Sequence, residues 1–252
     1  SYKKKFVFLH CRKTAGTFVS SLLYDILDNK DLIIGSLEDI QSIKKIKILN
    51  HIVLIKISNI PYLFNSIYNT LRYKKNLGFF INNFYKKKYH KIYKNPPHMS
   101  ILKVEENFPE TKNFFSFCFV RNPYDYAVSD YLWRISQNKK YKEMKFKEFL
   151  KLKMLDSHHD LVPSPKTNWG IYTSNNKISV DFVGRFEKLN EDLRIIFEKL
   201  DLDLSLLDKS AYILKKNSSK KNYQEYYSKE EKDLVEKLHY YEIKEFNYKF
   251  WY

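Results

Sequence analysis

The pattern that most constrains this chain is a strand–loop–helix junction that occurs twice. Lys5–Leu9 reads Lys-Phe-Val-Phe-Leu, a short apolar run of strand formers that stops at a polar loop containing Gly16. Beyond that loop, Phe18, Leu22, Leu23 and Ile26 fall on one face of a helix predicted over Phe18–Leu27. The run Phe114–Val120, FFSFCFV, is the clearest buried strand of the chain. It ends at Arg121-Asn122-Pro123, where Pro123 suits the first turn of a helix continuing through Trp133. Two such units predict an α/β fold with a mainly parallel central sheet flanked by helices. At 252 residues the chain suffices for one sizeable core, and a single domain over 1–252 is expected.

Between and after these units the signals are more local. A short helix is predicted around Leu37–Lys44, and residues 46–57, which include ILNHIVLIKI, read as a second buried strand. Tyr62–Tyr93 is rich in Asn, Lys, Tyr and Phe with weak periodicity and only Gly78 as a breaker, and reads as helical and surface-forming. Pro96-Pro97 ends that segment, and Ser100 can cap a helix through Asn107. Residues 156–170 suggest an ordered loop, Ile178–Val183 a strand, and Glu187–Leu200 an amphipathic helix. The polar segment Lys215–Asn222 precedes a final helix from Ser228, where Ser228 and Glu231 form a capping-box pattern.

Composition narrows the partners. Forty-five Lys and Arg against 29 Asp and Glu leave a net charge of +16, which raises the local concentration of anionic ligands such as nucleotides, acidic glycans or nucleic acid. Joint enrichment in Lys, Asn, Ile and Tyr is also what AT-rich coding DNA produces, so charge alone decides little. Cys11 and Cys118 form no CxxC pair, and reduced thiols are the default expectation. No run approaches the ~18 apolar residues that span a bilayer. A cytoplasmic location is the default, and a start without Met leaves a trimmed leader or anchor open.

The loop HCRKTAGTF sits where an α/β sheet gathers ligands, at the carboxyl end of a strand and the start of a helix. Ala15 and Gly16 allow close backbone approach, Arg12 and Lys13 carry charge, and Thr14 and Thr17 supply hydroxyls. A generic phosphate loop, GxxxxGK[ST], places its Lys after the last Gly; here Lys13 precedes Gly16. That order disfavours an ATPase or GTPase. Taken alone, the loop could also be a helix start with a tight turn and exposed charge. At the second junction Arg121 follows the strand directly and Ser129 lies about two turns into the next helix. The two can converge on one phosphate.

Together, HCRKTAGT and FCFVRNPYDYAVSDY resemble the 5′-phosphosulfate loop and 3′-phosphate motif of PAPS-dependent sulfotransferases, most nearly the carbohydrate (family 2-like) group. Its usual patterns are approximately HIPKTGGT and FKFAFVRNPYDRLVSAY. Pro97–Ser100, Val180–Glu187 and the segment KKNSSKKNYQEYYSKEEKDLVEKL continue the similarity in family order, with about 28–94 unmatched. The resemblance implies a P-loop-like sulfotransferase fold and PAPS as sulfuryl donor, with PAP as product and no metal. Arg12, Lys13, Thr14, Ala15, Gly16, Thr17 and Phe18 would bind the 5′-phosphosulfate, and Arg121 and Ser129 the 3′-phosphate. Lys13 would neutralise charge on the bridging oxygen. Ser218, Ser219 and Lys220 fall in the late loop that closes over the nucleotide in relatives. Two departures stand out: Arg12 replaces a commoner Pro, and Tyr126 stands where a basic residue often follows the Asp, which would loosen ion pairing around Asp125.

The acceptor is expected to be a hydroxyl or amine, an acidic glycan suiting the basic surface, with residues 28–94 and 134–175 as acceptor-side insertions. By the family's His-x-Ser position, His98 is the expected base, following a rigid Pro-Pro turn. His10 reads as a brace for the loop and His51 as a core histidine. His158 and His159, near Asp156 and Asp160, read as acceptor lining, without a third ligand set for a metal. Two other readings remain open at this level: a P-loop kinase or NTPase, and a basic nucleic-acid-binding module in which Tyr and Phe interleave with Lys over 62–94. The last lacks a recognised motif, and no specific nucleic acid is expected.

Overall fold

The computed structural model describes residues 1–28, 30–43, 60–90, 93–155, 159–162, 165–207 and 222–251. The chain runs β1 (Phe6–Leu9), α1 (Gly16–Tyr24), α2 (Leu37–Ile43), α3 (Ile60–Arg72), α4 (Leu77–Tyr89), α5 (Ile101–Asn107), β2 (Phe115–Val120), α6 (Pro123–Gln137), α7 (Phe146–Met154), α8 (Trp169–Tyr172), β3 (Thr173–Ser174), β4 (Lys177–Ile178), β5 (Phe182–Arg185), α9 (Leu189–Lys199), α10 (Lys229–Leu238) and α11 (Tyr240–Phe246). β1 pairs in parallel with β2, Phe6 opposite Phe115 and Leu9 opposite Cys118, and the sheet order is β1-β2-β5. The fold is therefore α/β with a parallel sheet flanked by helices, as expected. The predicted strand over 46–57, with His51, lies outside the described residues.

Packing divides the chain into two compact units that interleave in sequence. One comprises Ser1–His10, Ala15–Cys118 and Val180–Phe182; the other comprises Cys11–Thr14, Phe119–Ser179 and Val183–Tyr252. The first unit has a core of Tyr24, Leu37, Ile40, Ile81, Phe84, Tyr85, Tyr89 and Met99. Four of these lie on α4, which corrects the reading of 62–93 as surface-forming: its second half is core. The break between helices falls at Tyr73–Asn76, with Lys74 left-handed at φ 48 and Asn76 capping α4 through the Phe79 N–H. Gly78 is not a breaker. It lies within α4, where a Cβ would stand 2.5 Å from the Leu37 carbonyl oxygen, so glycine lets α4 approach α2.

The second unit packs Tyr124, Ala127, Val128 and Tyr131 of α6 against Phe146, Phe149 and Leu150 of α7 and Val235 of α10. Pro123 occupies the first turn of α6, and Asn122 caps it by accepting the Tyr124 N–H. Ser228 and Glu231 form the predicted capping box of α10. The strand expected over Ile178–Val183 is instead two elements. Lys177–Ile178 closes a hairpin on Thr173–Ser174, turned by Asn175 and Asn176 at φ 49 and 58, and the sheet strand begins at Phe182. Two successive positive-φ residues make the tight turn whose twist suits a hairpin, and Asn tolerates that conformation.

Candidate active site

The loop between β1 and α1 contributes to both units, Cys11–Thr14 to one and His10 with Ala15–Phe18 to the other. In the first group Lys13 is left-handed at φ 58, a conformation that costs a non-glycine residue about 1–2 kcal/mol. Arg121, at the end of β2, holds it there: its Nη1 donates to the Lys13 carbonyl at 3.0 Å. The remaining guanidinium nitrogens are oriented by Asp125, Nε at 2.7 Å and Nη2 at 2.6 Å, and the group lies 4.3 Å from the Phe186 ring centroid. Tyr126 thus leaves the Arg121–Asp125 pair intact. Lys13 Nζ lies 5.5 Å from the centroid of Trp133, and Ser129 is buried on α6. Thr14 donates its hydroxyl to the Cys11 carbonyl at 3.1 Å.

Arg12 is held on three sides. Asn168 accepts the Arg12 N–H through Oδ1 at 2.9 Å and donates Nδ2 to the Arg12 carbonyl at 2.9 Å, pairing with the loop backbone as a neighbouring strand would. Arg12 Nη1 donates to the Pro165 carbonyl at 2.8 Å, and only 5% of the residue is exposed. Pro165 and Asn168 belong to the stretch expected to wall the acceptor, and their contact is with the donor loop.

The unit that holds Cys11–Thr14 also contains a buried charge cluster. Asp130 accepts from Lys153 Nζ at 3.1 Å and Arg134 Nε at 2.9 Å, and both Asp130 and Lys153 are 1% exposed. Burial by itself would push the Asp130 carboxyl up, but Lys153 and Arg134, with Arg12 further off, outweigh it and hold Asp130 below its usual range. Burial lowers the Lys153 ammonium, partly offset by Asp130. Tyr126 lies fully buried in the same field, its hydroxyl pushed well up by burial and then by Asp130, while Arg12 acts the other way.

In the other unit, the His98 ring Nδ1 lies 2.6 Å from the His10 carbonyl oxygen, and the two imidazole centroids are 5.0 Å apart. A carbonyl only accepts, so the His98 proton sits on Nδ1 and the lone pair of the neutral ring on Nε2. His10 Nδ1 and the Ser36 hydroxyl hydrogen-bond at 3.1 Å. Ala15, at φ 62, precedes α1 and offers no capping side chain to its first-turn N–H groups. At Gly16 an added Cβ would stand 1.9 Å from His10 Cδ2, so the imidazole fills the space of a side chain there. Phe18 is buried on α1, and Thr17 hydrogen-bonds Asp39, whose carboxyl is raised by burial and then by Glu38.

Ser218, Ser219 and Lys220, and Asp156 with His158, lie outside the described residues. His159 accepts the Leu161 N–H through Nδ1 at 3.2 Å. Among the described residues no group of three His, Cys, Asp or Glu side chains is placed to hold a metal ion, and no helix is long and apolar enough to cross a membrane. Cys11 and Cys118 are both buried and not bridged to each other. The sequence alone marks neither Asn168 as a partner of the donor loop nor Lys153 as a partner of Asp130. The i,i+4 spacing of Asp130 and Arg134 was readable as a helix pair, whereas nothing local marks Asn168.

A protein of Archaeoglobus fulgidus, described only as uncharacterized, is 34% identical over 92 residues, which span 35% of this chain and 69% of that protein. No solved structure matches the chain. The profile of the sulfotransferase family matches residues 1–249, essentially the whole length, and covers both strand ends described above. The chain belongs to the sulfotransferase family, enzymes that transfer a sulfuryl group to an acceptor.

Proposed function

We propose that this chain is a single PAPS-dependent sulfotransferase domain of P-loop-like fold, moving the sulfuryl group to a hydroxyl or amine of an acceptor, most naturally an acidic carbohydrate. The observation that carries the reading is the 3.0 Å hydrogen bond from Arg121 Nη1 to the Lys13 carbonyl, which ties the strand-end cation to the backbone of the donor-loop lysine. The donor's chemistry suits the residues present. An uncapped helix start at Gly16 and the cations Lys13 and Arg121 are partners for phosphate and sulfate oxygens, while Thr14, donating to the Cys11 carbonyl, and Thr17, hydrogen-bonded to Asp39, fix the loop between them.

In this reading Arg12–Phe18 form the loop that holds the 5′-phosphosulfate, Arg12 as its anchor, with its backbone N–H and carbonyl paired to Asn168 and its Nη1 directed to Pro165. Arg121 and Ser129 take the 3′-phosphate, and Ser218, Ser219 and Lys220 cover the nucleotide. The acceptor oxygen bonds to sulfur in line as the sulfur–oxygen bond to the 5′-phosphate breaks, and PAP leaves. Lys13 offsets charge growing on the bridging oxygen, and the acceptor proton goes to His98 Nε2, the nitrogen that the His10 carbonyl leaves basic. No metal is required.

Calorimetry with PAP in the absence of Mg²⁺ tests the donor assignment. Binding is expected in the wild type, weaker binding in Arg121→Ala, and in Lys13→Ala a retained fold with lost transfer from labelled PAPS. A folded protein that does not bind PAP overturns the reading, as does Mg²⁺-dependent ATP turnover in its place.

A further inference from the structure

Helix α3 is built inside out. Its inward side carries Tyr62, Leu63, Ser66, Asn69 and Thr70, with Ser66 fully buried and donating its hydroxyl to the Phe80 carbonyl of α4 at 2.6 Å. Its outward side carries Ile60, Phe64, Ile67, Tyr68 and Leu71, which at helical spacing fall within an arc of roughly 100°. Phe64 is 69% exposed and Leu71 73%, although each is a side chain that burial would stabilise. The expected arrangement for a helix against a core is the reverse.

The segment that carries this stripe has charge of one sign. Residues 40–104 contain thirteen Lys or Arg and no Asp or Glu, against +16 for the whole chain. Among the described residues of α3, α4 and their connection, Arg72, Lys74, Lys75, Lys86 and Lys87 are exposed. Glu38 of α2 pairs with Lys75 at 3.3 Å, and Arg72 lies over the rings of Tyr68 and Tyr73 at 5.8 and 5.6 Å. The stripe therefore ends in aromatic residues and cations. A soluble polyanion would use the cations and leave the apolar arc wet; an apolar protein groove would use the arc and leave the cations unmatched. A surface with acyl chains below anionic headgroups satisfies both.

We propose that α3 is a membrane-surface helix: its Ile60–Leu71 stripe enters the headgroup region of an anionic bilayer while the surrounding Lys and Arg contact the headgroups. At thirteen residues, Ile60–Arg72 is too short to cross and lies in the plane of the interface. A sulfotransferase docked in this way would work on acceptors held at a membrane face.

Sedimentation with vesicles of phosphatidylcholine, alone or mixed equally with phosphatidylserine, tests this directly. The wild type is expected to bind the mixed vesicles, to bind phosphatidylcholine alone far more weakly, and to be released by salt. Phe64→Ser with Leu71→Ser should lower binding to mixed vesicles at least about tenfold with the melting temperature unchanged. Failure to bind, equal binding to both vesicles, or full binding by the double variant overturns the proposal. A marked fall in melting temperature in that variant means the stripe is packed within the chain. A lipid-free dimer lost in the variant means a second copy covers it, and heparin binding that needs Phe64 and Leu71 means a polyanion does; each of these also overturns it.

Discussion

The Asn168 carboxamide bridges the backbone of Arg12, accepting its N–H and donating to its carbonyl, both at 2.9 Å, across 156 residues of sequence. Each bond adds about 1 kcal/mol net, and leaving both backbone groups buried without partners costs more. Asn168→Ala is therefore expected to weaken PAP binding at least about tenfold by releasing the loop. Asn168→Asp keeps the acceptor but sets a carboxylate against the Arg12 carbonyl, and should bind PAP no better than Asn168→Ala. Calorimetry on folded variants decides; wild-type affinity in Asn168→Ala would remove it from a positioning role.

Two adjacent small residues should respond in opposite directions. Ala15 is left-handed at φ 62, so Ala15→Gly relieves strain and is expected to stabilise the protein by about 1 kcal/mol. Gly16→Ala places a Cβ on the His10 ring, 1.9 Å from Cδ2, and is expected to lower the melting temperature and displace His10. Thermal denaturation of the two variants checks both signs.

His98→Ala is expected to lose roughly 10²–10⁴-fold in turnover while PAP affinity stays near wild type. His98→Asn can still donate a side-chain N–H to the His10 carbonyl but has no basic nitrogen, so it should be as slow as His98→Ala. Recovery of turnover in His98→Asn would make His98 a brace rather than the base.

Asp130 links stability to pH. Lys153 and Arg134 hold its folded-state pKa below the ordinary value of 3.8 despite burial, so its contribution is present above that value and lost as pH falls through the folded one. Asp130→Asn leaves the neighbouring cations Lys153, Arg134 and Arg12 without their anion and is expected to cost about 3–5 kcal/mol near neutral pH. The gap in melting temperature between wild type and Asp130→Asn should narrow on acidification below 3.8. A gap that does not change with pH would show that another group, or packing alone, sets the cost.

Much of the frame was legible because its causes are local. The strand at Phe6–Leu9 and the one ending at Val120 are uninterrupted apolar runs, and Pro123, Ser100 and Ser228 mark helix starts through their own backbone chemistry. The two phosphate-type motifs, together with the further matching blocks in family order, were enough to expect the family.

Other features depended on partners far apart in sequence. Tyr62–Tyr93 looked uniformly polar-aromatic, and only packing separated α4, whose Phe84 and Tyr85 are core, from α3, whose Phe64 and Leu71 face outward. The hairpin at Asn175-Asn176 was missed because alternation over Ile178–Val183 hid the turn chemistry just before it. Arg12 read as a charge beside the donor, yet its guanidinium is directed to Pro165, and Asn168, within the 134–175 stretch expected on the acceptor side, grips the donor loop. By itself, the sequence determined which loop carries the lysine and which strand end carries the arginine, since apolar runs and helix-start residues act through neighbouring backbone. Only the tertiary structure decided how Lys13 is held in its left-handed conformation, because Arg121 reaches its carbonyl, and Asn168 the peptide before it, from more than a hundred residues away.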